Sequence, residues 1–241
     1  SEIELKNGAE VNADENVKLS VNTDSNFRQK IDSSGSGFAA IPKATTTLNA
    51  YNTNKISIDE KSSLSANRST VFDFDSNNAL HTRSFANAKH FAGNPTAKSY
   101  LNLNVNNELS NKGKISADSV VDINFMDNSN NDLNQYARTE ADAAVATSDQ
   151  GGSLTRTYKN LINVAKNALI ASKKDIDINY GSGKETLNSE ISFRSTSYGL
   201  FGIPITVRGH WNKISGGPSH KLVLDGEMKA GEGSNRYMKI T

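Results

Sequence analysis

Cysteine is absent from this 241-residue chain, and proline (four) and tryptophan (one) are scarce. Without cysteine, neither a disulfide framework nor a cysteine-ligated zinc site can form. Net charge is nearly absent too: 27 Lys and Arg stand against 26 Asp and Glu, leaving +1. That balance gives no general drive toward nucleic acid or an anionic membrane surface, so a nucleic-acid partner is not expected. Long apolar runs are also missing. The longest, Tyr198 to Val207, falls well short of the roughly 18–20 residues a helical span needs, so membrane insertion is not expected. Hydrophobic residues make up 35 %, below the roughly 45–50 % of an average globular chain. No basic segment followed by an apolar run opens the chain at Ser1, and no visible stop closes it at Thr241. With its repetitive texture, it is read as a segment of something longer.

Amides and hydroxyls fill the gap. There are 30 Asn, 29 Ser and 16 Thr, together 75 of the 241 residues. Long cysteine-free chains of this composition suit secreted proteins that cross an envelope unfolded.

The chain repeats itself, and repeats come before elements. Pro42, Pro95 and Pro204 each follow a Phe (Phe38, Phe91, Phe201), at separations of 53 and 109. The missing copy falls near Gln150-Gly151-Gly152, where a glycine pair is expected to replace the proline turn. Apolar alternating segments begin at Val17, Val71, Val121 and Ile176, at intervals of 54, 50 and 55. Asn77-Asn78-Ala79-Leu80 returns as Asn130-Asn131-Asp132-Leu133, 53 residues later. Asp122-Ile123-Asn124-Phe125 returns as Asp177-Ile178-Asn179-Tyr180 after 55, and Lys55 to Asp59 is matched to Lys114 to Asp118.

Within each unit the period is two. Leu101, Leu103 and Val105, or Val121, Ile123 and Phe125, point one way, and Asn, Asp, Lys and Ser point the other. Asn-Gly, Asn-Lys-Gly and Ser-Gly-Gly-Pro clusters turn the chain. The best helical window, Asn131 to Val145, is still read as strand with at most a helical turn. Copies of one strand explain a repeat if each pairs in parallel with the next, with Asn ladders running between coils. The expected fold is therefore all-β: a parallel β-solenoid, a right-handed β-helix, built from degenerate repeats of about 54 residues. A single solenoid segment covers residues 1–241, with repeats over 9–54, 55–113, 114–172 and 173–241. Two or three coils per repeat would give a rod roughly 40–60 Å long, with polar ladders outside a thin core. The open edges are expected at Ile3 to Lys6 and Met238 to Thr241.

This texture resembles the filamentous-haemagglutinin-like exoproteins, the long β-helical adhesins of two-partner or autotransporter secretion in Gram-negative-type bacteria. It is carried by Asn-Lys-Gly-Lys-Ile at 111–115, by Asn111 to Ala117 in the form N-x-G-x-I-x-A, and by the Val-Asp-Ile-Asn segments. The resemblance implies an extracellular, cell-surface rod serving adhesion, biofilm formation or toxin delivery. Its implied partners are surface glycans or proteins of host or neighbouring cells, and flanking repeats end to end. It lends no catalytic residue, cofactor or metal.

Other chemistry finds only fragments of its motifs in the sequence. Polygalacturonase-like enzymes also use a β-helix, but of their motifs only Asn22-Thr23-Asp24 and half of Gly-His-Gly, at Gly209-His210, occur here. No Asp-Asp pair supplies the two carboxylates of an inverting hydrolysis. Asp73 with Asp75, and Asp175 with Asp177, offer oxygen ligands of the kind Ca²⁺ takes; they are read as alternating acids on a solvated face. His81, His90, His210 and His220 show no ligand spacing. The one compositional break runs from Ser197 to Trp211. Phe201 shares the phase of Phe38 and Phe91, so it is read as a recurrent packing residue. Trp211 has no earlier counterpart, and with Tyr198, Arg208 and His210 it forms the candidate ligand site, for a glycan held by loop aromatics.

Overall fold

The computed structural model describes residues 1–6, 8–181, 183–195, 206–231 and 238–240; of His90, Thr206, Val207 and Arg208 the backbone alone is described. The first pass of the chain runs through β1 (Glu2–Leu5), β2 (Glu10–Ala13), β3 (Asn16–Ala40) and β4 (Lys43–Ile58). The second pass is β5 (Ser63–Ala66), β6 (Ser69–Gly93) and β7 (Thr96–Asn111). The third is β8 (Lys114–Ala117), β9 (Val120–Phe125) and β10 (Asn130–Val164). The fourth is β11 (Leu169–Ser172), β12 (Asp175–Tyr180), β13 (Lys184–Ser195) and β14 (Thr206–Leu224), and β15 (Glu227–Lys229) and β16 (Met238–Ile240) follow. Among the described residues there is no helix, and the window 131–145 lies inside β10.

All pairings are parallel, and each joins a strand to its counterpart one repeat on. Lys43 lies beside Thr96, and Thr96 beside Asp149, 53 residues apart each time. The short strands β2, β5, β8, β11 and β15 form one ladder in that order. A second ladder stacks β1, β4, β7, β10 and β14, and a third carries β3, β6, β9 and β12. β1 and β16 lie at the two ends of the pairing order, where the open edges were expected.

One repeat therefore contributes one level to each ladder, in the third as β9 with the first part of β10 and then as β12 with β13. Five stacked strands stand only about 20 Å tall, against the rod of 40–60 Å that two or three coils per repeat implied. The length lies instead along the strands: the 25 residues of β6 follow a contour of about 80 Å.

Parallel ladders also correct the sequence register. Lys18, not Val17, lies beside Val71, so Phe72 and Phe74 are the buried residues of that segment. A slip of one residue exchanges the two faces of a strand. Lys114 lies beside Ser63 and not beside Lys55, so the similarity of those two segments is not equivalence. Gly151 and Gly152 sit inside β10, buried, and Ser148 takes the place of Pro95. No turn is made at the glycine pair because β10 keeps pairing with β7 through it.

The ladders face each other across a core that tapers. At the end closed by the short strands, Phe72, Phe125, Ile115 and Ile170 are buried together. Leu80, Leu101, Leu103 and Leu154 fill the middle. Toward Pro42 and Pro95 the buried apolar residues are small, Ala44, Ala86, Ala97 and Ala137, and the hydroxyls of Thr46, Ser84 and Ser99 are buried beside them. Polar ladders run outside the core, as expected, where Asn77 donates to Asp24, and they run inside it as well. Asn54 donates to Asn107 (3.1 Å), and Asn107 donates to Asn160 (2.8 Å). Asn52 donates to Asn78 (2.6 Å), which donates to Asn131 (2.7 Å). An amide both donates and accepts, so each inner member of such a row is satisfied by its neighbours without water, while the row ending at Asn131 leaves that residue's Nδ2 buried without a partner.

Candidate functional site

The site grows from an irregularity in β14. Its pairing with β10 shifts between Ser148 and Gln150, and Gly209 there has φ +66°. A Cβ at Gly209 would collide with the Asp149 carboxylate, so glycine suits the place sterically as well as conformationally. Past this bulge the strand alternates normally. His210 takes the inward column of Gln150, whose Nε2 lies 3.1 Å from its Nδ1, and Trp211 takes the outward column of Gly151.

Trp211 lies flat because of what Gly151 lacks. Any Cβ on Gly151 would run into the indole ring. The indole instead crosses that gap and meets Tyr100 of β7, with ring centroids 6.1 Å apart and planes tilted by 42°. It remains 39 % exposed. Beside it Lys98 and Asp149 form an ion pair of 3.0 Å. The Asp149 carboxylate bonded to Lys98 raises its ammonium above the ordinary lysine value. Further along the same face, Asn102 donates to Asn49 (2.8 Å), and the hydroxyls of Thr155 and Ser215 lie 3.3 Å apart.

The four residues named from the sequence do not converge as one cluster. Trp211 and His210 point to opposite faces, as successive strand residues must. Tyr198 lies outside the described residues, as do Phe201 and the side chain of Arg208. Trp211 is also carried by a strand and not by a loop. Tyr100 was missed, since reaching it from Trp211 needs both the 53-residue interval of β7 to β10 and the longer one of β10 to β14. Phe38 and Phe91, read as packing residues, stack on each other 4.9 Å apart but lie exposed, outside the core.

Of the two acidic pairs, Asp175 and Asp177 are partly exposed, but the other is not solvated. Asp73 and Asp75 are buried. Lys18 reaches Asp73 at 2.5 Å, and Asn124 donates to it. Asp75 accepts the Asn128 backbone N–H at 2.9 Å. Burial pushes its carboxyl up, against the pull of that hydrogen bond. Among the described residues, no three His, Asp or Glu side chains meet in a way that could hold a metal ion. Asn22 to Asp24 and Gly209-His210 occupy opposite ends of the strand stack, on β3 and β14. His81 sits 3.7 Å from Asp132, and His220 ends the Asn54–Asn107–Asn160 column, its Nδ1 3.2 Å from Asn160 Nδ2. Burial lowers its imidazole below the ordinary value.

What this face offers chemically is a fixed, flat aromatic surface bordered by hydroxyls, amides and one neutralised ion pair. Comparison with protein-family models, with curated proteins and with solved structures finds no match to this chain.

Proposed function

We propose that the chain is a parallel β-solenoid segment, one wide coil per repeat, serving as a non-catalytic structural and adhesive shaft of a secreted or cell-surface bacterial filament. The observation that carries this reading is the pairing of each strand with its own counterpart one repeat on. Such a stack has no built-in limit, because each repeat completes the core of its neighbour. Its partners are flanking repeats, or further copies, at the ends and surface glycans or proteins at the faces, where many weak contacts add. The resemblance to filamentous-haemagglutinin-like exoproteins, in the Asn-Lys-Gly-Lys-Ile and Val-Asp-Ile-Asn segments, supports the same reading.

Two measurements test it. Antibody labelling of intact producing cells should find the chain on the surface or in the medium, and confinement to the cytoplasm would overturn the reading. Sedimentation over rising concentration should show species growing end to end. A strict monomer whose β1 and β16 amides resist hydrogen exchange as well as β7 would count against open, stackable ends.

A further inference from the structure

We propose that the outer face of the β7–β10–β14 ladder around Trp211 is a binding site for a neutral oligosaccharide. This goes beyond the shaft reading and does not depend on it. A sugar ring has an apolar C–H face and an edge of hydroxyls, so its receptor needs a flat ring surrounded by donors and acceptors. Trp211 supplies the ring. It is held in place before any ligand arrives, by the gap at Gly151 beneath it and by Tyr100 beside it. A side chain already fixed loses little freedom on binding.

The surroundings match the edge. The Asp149 carboxylate and the Lys98 ammonium are an acceptor and a donor whose charges cancel across 3.0 Å. Ser153 pairs beside Tyr100 in the ladder, and Lys213, the next outward residue after Trp211, lies in register with it. The outward positions of the ladder continue past Trp211 as Thr155 and Ser215, so a linear chain of sugars could extend along it.

The chain has a single tryptophan, so its emission reports this site alone. The probes are β-1,4-linked hexasaccharides of glucose and of N-acetylglucosamine, with a heparin-derived hexasaccharide as the acidic comparison. A neutral hexasaccharide should change Trp211 emission saturably. By calorimetry, Tyr100→Ser should weaken that binding about tenfold, the size of one aromatic face contact. Gly151→Val places a good strand former under the indole and should abolish binding while the far-ultraviolet spectrum keeps its strand signature. Trp211→Ala should abolish binding with little change in melting temperature. The proposal fails if neither neutral probe gives saturation up to about 10 mM, if only the heparin probe binds, or if Gly151→Val binds as well as the parent. It fails equally if Trp211→Ala lowers the melting temperature by several degrees and leaves saccharide affinity unchanged.

Discussion

The inner repeats and the last one place the same kinds of residue inward, with different results. In the column shared by Leu101 and Leu154, both are fully buried; Ile214, the next member on β14, is 47 % exposed. Val164 is buried, and Leu224 beside it is 46 % exposed. In this ladder β4, β7 and β10 keep an interval of 53, whereas His210 follows Gln150 by 60. β14 also carries Gly216, with φ +95°, and Pro218 where β10 has Arg156 and Tyr158. Proline within a sheet belongs on an edge strand, where its missing N–H costs nothing. Alternation aims a side chain at the core, but on an edge strand the outcome varies: Val21 of β3 is buried, whereas Ile214 and Leu224 of β14 are not.

The largest test of that difference is a pair of truncations in the aliphatic columns. Leu103→Ala, between β4 and β10, should cost about 3 kcal/mol by urea denaturation, since its pocket cannot collapse. Ile214→Ala should cost about 1 kcal/mol or less, because half of its surface already meets water. Equal losses would mean that the last repeat is as well packed as the inner ones.

The asparagine column gives the next test. Asn107→Ala should remove about 2 kcal/mol, because it leaves the Asn160 carbonyl buried without a partner and strips one of the two hydrogen bonds donated by the Asn54 amide, which keeps the Asp75 carbonyl. His220→Ala breaks the same column at its exposed end, where water can take over the Asn160 amide. Its loss should stay within about 1 kcal/mol. Should the two variants denature at the same midpoint, the column is not a shared buried network.

The interval of the inner repeats was legible because identity and alternation coincide there: Asn77-Asn78 recurs at Asn130-Asn131, and these residues do lie side by side. The inward Leu101-x-Leu103-x-Val105 and the strand character of 131–145 were legible for the same reason. The number of strands per repeat was not. Period two says which face a residue takes, yet nothing local says whether its neighbour lies 20 or 53 residues away. The buried asparagines misled for a related reason: an amide looks like a surface residue until its partner is another amide in the same column. The Trp211 site was half legible. Its uniqueness drew attention, but Gly151 and Tyr100 matter only through pairing intervals that change at the bulge beside Gly209.

The smallest effect separates the ladders by charge. The outward column Lys18, Val71, Asp122, Asp177, Lys239 puts two carboxylates side by side in its middle and a lysine at each end. Burial, and then the neighbouring Asp177 and Asp73, push the Asp122 carboxyl above the ordinary 3.8. A carboxyl raised on folding binds its proton more tightly in the folded chain than in the unfolded one. Its contribution to stability is thus complete below the ordinary value and is lost as pH rises through the raised one. At neutral pH the ionised Asp122 is a cost. Asp122→Asn should therefore stabilise the protein at pH 7 by about 0.2–1 kcal/mol, the scale of a like-charge cross-strand pair, and its new amide can donate to Asp177, whose Oδ1 is buried without a partner. The charge part of that gain should vanish below about pH 4, where the parent carboxyl is protonated in both states. Melting temperatures of parent and variant at the two pH values check this. A gain of the same size at both would assign the whole effect to the amide hydrogen bond and none to the paired carboxylates.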